Sequence, residues 1–112
     1  MKLSICIPTF NRQDKLPNCL NSIYLASKNS TLDFDVCISD NGSNYDVNEI
    51  IKDFDKKLKI NVNQNKSNKG YMPNLLKSIS ISESEFVWAI GDDDILMPCL
   101  LYTSPSPRDK RQ

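Results

Sequence analysis

Glu85-Phe86-Val87-Trp88-Ala89-Ile90-Gly91-Asp92-Asp93-Asp94 is an apolar run that stops on three consecutive carboxylates. Its apolar part has the length and side-chain type of a buried strand, so the carboxylates fall where that strand leaves the core. Adjacent carboxylates repel one another strongly where the dielectric is low. A strand end that gathers them therefore points to a divalent cation such as Mg²⁺ or Mn²⁺ held by oxygen ligands, with a diphosphate as its natural companion. An acidic turn in water is the plain alternative for so short a run.

The segments before this run decide the architecture. Residues 3–7 are short, apolar and rich in β-branched side chains, and Pro8 closes them as an inner strand. After a polar loop over 9–13, Leu16, Leu20, Ile23 and Tyr24 recur at helical spacing, with Asp14 as the expected cap and Pro17 tolerated in the first turn. Residues 34–39 read as a second strand, stopped by the turn formers Asp40-Asn41-Gly42-Ser43-Asn44. Val47, Ile50, Ile51, Phe54 and Leu58 predict a second amphipathic helix, and residues 58–62 alternate as a third strand. A Lys/Asn-rich loop over 63–70 leads into a third helix with Leu75, Leu76 and Ile79 on one face, and the fourth strand then reaches the acidic triplet.

The order β-α-β-α-β-α-β predicts an α/β fold of Rossmann-like type, a parallel sheet with right-handed crossovers and helices on both sides. Ligands of such sheets bind outside the carboxyl ends of the strands. The loops leaving those ends are 9–12, 40–43, 65–70 and 91–94, and every polar cluster that stands out falls on that edge. A merely solvated surface would scatter its charge over the helices as well.

Composition removes several classes. The 112 residues suffice for one domain, with 14 basic and 14 acidic side chains in balance. No basic block precedes the last few positions, so nucleic acid is not an expected partner. No apolar run approaches the length of a bilayer span, and the start is too quickly interrupted for a signal peptide, so the chain reads as cytosolic. Cys6, Cys19, Cys37 and Cys99 lack CxxC spacing and are expected to be reduced and mostly buried. The absence of histidine rules out a Ser-His or Cys-His system within this chain.

Four segments together carry a resemblance: residues 4–12 (SICIPTFNR), 36–43 (VCISDNGS), Asn68-Lys69-Gly70 with Asn74, and 86–94 (FVWAIGDDD). In this order and spacing they resemble family 2 glycosyltransferases of the GT-A fold, over residues 1 to about 98. The DNGS and GDDD variants are similar to those of bacterial enzymes that add sugars to O-antigen or related surface glycans.

The resemblance implies that residues 1–98 are the donor-binding half of a GT-A domain and that the donor is a nucleotide-sugar. The cofactor would be Mn²⁺ or Mg²⁺, met by Asp93 directly and by Asp94 through water, with Asp92 toward the ribose or the cation. The commoner DxDD pattern would put an aspartate at Gly91, so the division of labour in this triplet is open. Thr9, Asn11 and Arg12 match the loop that wraps the nucleoside, Arg12 stacking on the base or approaching phosphate. Asp40 would lie near base or ribose. Asn41 stands where many members carry Asp; its amide could accept from N3-H of uracil or thymine or, turned over, donate to N3 of cytosine. UDP, dTDP and CDP donors therefore all remain open. The acceptor would be a glycan or lipid-linked glycan, the stereochemistry inverting, and the full-length protein peripheral at the inner face of the membrane.

In that family the general base follows the acidic triplet, so no catalytic residue is assigned here and this polypeptide is expected to bind donor without transferring it. Residues 99–112 continue no strand or helix, carry Pro105 and Pro107, and resemble a translated sequencing adapter, so the chain is expected to be a truncated piece with a non-native tail. Two other classes compete. A nucleotidyltransferase or dehydrogenase lacks support without GxGxxG after the first strand, and a noncatalytic response-regulator-like module would need a lysine across the cleft from its aspartates.

Overall fold

A computed structural model describes residues 2–28 and 33–91. Seven elements alternate as expected: β1 (Lys2–Thr9), α1 (Leu16–Ser27), β2 (Asp33–Asp40), α2 (Val47–Ile51), β3 (Ile60–Gln64), α3 (Tyr71–Ser80) and β4 (Phe86–Ala89). The strands form one sheet in the order β3-β2-β1-β4, and every pairing is parallel. The chain steps outward from β1 to β3 and then crosses back to add β4 on the other side of β1. That reversal is the topological switch point at which such sheets open a crevice.

The two faces of the sheet differ in chemistry because β1 and β2 alternate. Leu3, Ile5 and Ile7 of β1 join Val36 and Ile38 of β2 against Leu16, Leu20 and Ile23 of α1 and Val47, Ile50 and Ile51 of α2. All of these are buried and form one apolar core. The intervening positions, Ser4, Cys6, Asp35, Cys37 and Ser39, are just as buried but small or polar. Ser4 Oγ donates to the Asp35 carboxylate, which also accepts from Asn61 Nδ2 at 3.2 Å. Hydrogen bonding of this kind is what makes a buried carboxylate tolerable.

Five expectations are corrected. The third helix presents Asn74 and Ser78 to the sheet, while Leu75 and Ile79 are half-buried and Leu76 is exposed, because the face it covers is polar. The second helix ends at Ile51; Phe54 and Leu58 are buried instead by successive tight turns, with Phe54 N–H donating to Ile51 O at 2.8 Å and Lys57 N–H to Phe54 O at 2.9 Å. Tight turns and helices share the three-to-four-residue spacing, so periodicity alone does not separate them. The third strand starts at Ile60, beyond Leu58, and β1 runs through Pro8 to Thr9. Helix α1 is capped at Lys15 with no side-chain bond; Arg12 O accepts from Lys15 and Leu16 N–H, so Asp14 has no capping role. Among the described residues no helix is long and apolar enough to cross a membrane.

Candidate nucleotide-binding cleft

The carboxyl ends of β1 and β2 meet α3 and the loop over 65–70 around a cleft of about 240 Å³. Pro8 and Thr9 line it from the end of β1, Phe10 and Arg12 from the loop that follows, Asn41 from the second loop, and Asn68, Tyr71 and Asn74 from the third loop and α3. The loops are fastened to one another. Asn41 N–H donates to Thr9 O at 2.9 Å, continuing the ladder one step past the strands, and Asn65 N–H donates to Asp40 O at 2.8 Å.

Asn11 joins the first two loops. It adopts a φ of 52°, a left-handed conformation that asparagine tolerates better than most residues. In that conformation its N–H donates to Ser43 Oγ at 2.7 Å and its Oδ1 accepts from Asn44 N–H at 2.8 Å. Gly42 brings the second loop against the third. Its φ is 79°, and a Cβ built on it would lie 2.8 Å from Ser67 Cα and 2.9 Å from Ser67 C, closer than real Cβ contacts come. Glycine is required there for both conformation and space.

The structure gathers Thr9, Arg12 and Asn41 at the cleft wall and places two other expected residues away from it. Asp40 is buried, and its carboxylate accepts from Ser43 N–H at 3.3 Å and from Ser43 Oγ. Asn11 lines a shallower hollow on the far side of the loop with Gln13, Asp14, Asn44 and Tyr45. Burial, followed by the Asp40 carboxylate, pushes the Tyr45 phenol above its ordinary range, and the buried Tyr45 Oη has no hydrogen bond of good geometry. Asn41 is 3% exposed, and both hydrogens and both lone pairs of its amide are already committed within the protein. An amide so held cannot turn over to suit one base or another.

Asp92, Asp93 and Asp94 lie outside the described residues. The chain is described as far as Gly91, just beyond β4, where Ile90 N–H donates to Cys6 O at 3.0 Å and Gly91 O accepts from the Cys19 thiol at 3.8 Å. Among the described residues no group of three His, Cys, Asp or Glu side chains could hold a metal ion.

Sequence patterning does not single out Phe10 or Tyr71, yet both are exposed aromatics on the cleft, Phe10 at 39% and Tyr71 at 66%. The available signal was an aromatic residue inside an otherwise polar loop, and another directly after Gly70 at a helix start. Exposed rings beside a guanidinium suit a flat, anionic ligand: ring faces stack and Arg12 meets negative charge.

Comparison with known proteins agrees with this geometry. A family profile described as glycosyl transferase family 2 matches residues 4–103. The abequosyltransferase RfbV of Salmonella typhimurium is 37% identical over 98 residues, covering 86% of this chain and 29% of that protein. The GalNAc(5)-diNAcBac-PP-undecaprenol beta-1,3-glucosyltransferase of Campylobacter jejuni is 31% identical over 105 residues, covering 91% of this chain and 33% of that protein. The chain thus spans about a third of the length of these relatives. Among solved structures, Staphylococcus aureus TarS 1-349 superposes with a TM-score of 0.82 at 26% identity over 93% of this chain and 31% of its own, and it has also been solved with UDP and with UDP-GlcNAc. The mannosyltransferase PcManGT of Pyrobaculum calidifontis, solved with GDP-Man and Mn²⁺, shares the fold with a TM-score of 0.80 at 15% identity. The chain belongs to glycosyl transferase family 2, with the α/β architecture of its GT-A members.

Proposed function

We propose that this chain binds the donor for a glycosyltransferase that moves a sugar from a nucleoside diphosphate to a glycan or lipid-linked acceptor of the bacterial surface, with inversion. The observation that carries the reading is the cleft itself: it opens at the carboxyl rim beside the switch point, and Phe10, Tyr71 and Arg12 line it with ring faces and a fixed positive charge. Support comes from the transferase names of the relatives and from the UDP complexes of TarS.

Thr9, Phe10 and Tyr71 would hold the nucleoside, Arg12 the diphosphate, Asn11 the first loop, Asp40 the second loop through Ser43, and Asn41 the wall beside the nucleoside. Asp93 and Asp94 would hold Mn²⁺ or Mg²⁺, with Asp92 toward the ribose. When bound, the cation supplies Lewis-acid stabilisation of the charge that grows on the departing diphosphate. The activity proposed for these 112 residues alone is donor binding; transfer, acceptor choice and attachment to the inner membrane face are proposed for a polypeptide of the relatives' length.

The test is a calorimetric titration of the chain with UDP, CDP and dTDP, each with and without Mn²⁺, on wild type and Asp93→Asn. Metal-enhanced binding in wild type and loss of that enhancement in Asp93→Asn are expected. A folded sample indifferent to all three nucleotides would remove the reading.

A further inference from the structure

Four asparagine amides from three separate segments are joined beneath the cleft. Asn65 Nδ2 donates both to Asn41 Oδ1 at 3.0 Å and to Asn74 Oδ1 at 3.1 Å. Asn41 Oδ1 also accepts from Lys69 N–H at 2.9 Å, while Asn41 Nδ2 donates to Asn68 Oδ1 at 2.8 Å and Gly70 O at 3.1 Å. Asn74, 2% exposed on α3, donates to Ser39 O at 2.9 Å and Thr9 O at 3.5 Å, carbonyls at the ends of β2 and β1. An amide offers two hydrogens and two acceptor lone pairs. Asn41 has used all four. Turning it over would set nitrogen against Asn65 Nδ2 and Lys69 N–H, and oxygen against Asn68 Oδ1 and Gly70 O, replacing four attractive contacts with four repulsive ones.

We propose that Asn41, Asn65 and Asn74 are positioning residues of the donor cleft. Their amides form a locked relay that ties the 65–70 loop and the first turns of α3 to the ends of β1 and β2. Asn41 acts on the nucleotide through that relay and does not select its base. This rests on the donor-binding reading above and goes further, assigning a role to Asn65 that sequence pattern does not suggest, giving Asn74 a defined one, and removing base selection from Asn41.

The test uses the ¹⁵N-labelled 112-residue chain, titrated with UDP, CDP and dTDP in Mg²⁺ and followed by amide shifts, with melting temperature recorded for every variant. Asn65→Ala keeps the backbone bond to Asp40 O and is expected to weaken all three nucleotides by a common factor of about fivefold to tenfold, as expected for one or two lost hydrogen bonds. Asn41→Asp keeps the acceptor facing Asn65 and Lys69 but sets oxygen against Asn68 and Gly70. All three affinities should fall while the UDP-to-CDP ratio stays within about twofold; a residue that reads the base edge would change that ratio by about tenfold or more. In the free protein the Asn41 side-chain amide should exchange with solvent far more slowly than that of exposed Asn18, a readout independent of ligand and of the variants' folding. Unchanged binding in folded Asn65→Ala, a shifted ratio in Asn41→Asp, or fast exchange at Asn41 overturns the proposal alone. Wild-type chain that binds none of the three nucleotides overturns the donor reading, and the proposal with it.

Discussion

Replacing Gly42 by alanine should damage the cleft more than the same change at Gly70, where a new Cβ would come no closer than 3.7 Å to Pro73. Gly42 has a φ of 79°, and the new Cβ would sit 2.8 Å from Ser67 Cα, 2.9 Å from Ser67 C and 3.2 Å from Asn68 N. Placing an L side chain in the left-handed region costs about 1–2 kcal/mol, offset by about 0.4–1 kcal/mol because alanine narrows the unfolded ensemble. The steric part has no cheap relief, since the nearest atoms are backbone. The 65–70 loop must retreat, which stretches the bonds from Asn41 to Asn68, Lys69 and Gly70, each worth about 1 kcal/mol net. Destabilisation of about 2–4 kcal/mol follows, or a melting point lower by about 8–16 °C at roughly 4 °C per kcal/mol for a domain of this size.

Urea unfolding followed by the fluorescence of Trp88, the single tryptophan, measures it directly. Gly42→Asn separates the two causes, because asparagine tolerates the left-handed region but carries the same Cβ. If the close approach dominates, Gly42→Asn is nearly as damaged as Gly42→Ala; if conformation dominates, it recovers most of the loss. A Gly42→Ala protein within about 0.5 kcal/mol of wild type would refute the reasoning, since surface changes that touch nothing fall in that range and the two loops then could not pack as described.

Tyr45→Phe should leave stability unchanged or raise it by about 1 kcal/mol, because it deletes a buried hydroxyl with no hydrogen bond of good geometry; a clear loss in thermal melting would show that Ser43, Thr9 or Arg12 satisfies it. The same residue sets an alkaline dependence. Its folded-state pKa is raised above the unfolded value of 10.0 by burial and then by Asp40, so its contribution is present below that value and lost as pH rises through the higher folded one. Wild type should therefore lose stability above about pH 10 more steeply than Tyr45→Phe, and parallel profiles would contradict this. Cys6, Cys19 and Cys37 are buried thiols, and the hydrogen bond to Cys37, followed by burial, pushes the Cys6 thiol well above its ordinary range. Iodoacetamide should leave all three unmodified in native buffer and alkylate them in urea, as mapped by peptide mass spectrometry; rapid native modification of any of them would overturn their placement.

The strands and their alternation with helices along the chain were legible because each strand is a short apolar run closed by turn formers, and a rim site follows once that alternation makes the sheet parallel; the order of the strands across the sheet was not. What α3 does was not legible from its own period. Leu75, Leu76 and Ile79 satisfy a helical pattern, but the strand face opposite carries Ser4, Asp35 and Ser39, so Asn74 and Ser78 turn inward. The alternation within β1 and β2 held the missing clue: every second residue from Ser4 to Pro8, and from Asp35 to Ser39, is small or polar, so one face of the sheet could not accept leucines. The state of Asn41 was less accessible still. Its partners lie 24 to 29 residues away, and no local pattern reveals that they use up its amide before a ligand arrives.

This division of the sheet into an apolar and a polar face separates stability from site geometry. The apolar side, packed by α1 and α2, contributes burial, which is non-directional and tolerates small shifts. The polar side contributes hydrogen bonds, which do not, and they continue from Asp35 and Asn61 past Ser39 and Asn63 to Asn65, Asn41 and Asn74 at the rim. Loops that would otherwise drift are thereby referenced to strand carbonyls, the most rigid groups nearby, as a binding site built from loops requires. A conservative change in the apolar core, such as Ile38→Val, should then lower the melting point while leaving ligand affinity intact, whereas Asn65→Ala, which loses its bonds to Asn41 and Asn74, should lower the melting point and the affinity together. A molecule in which both kinds of change moved stability and affinity together would have no such division, and its cleft would owe its shape to general packing.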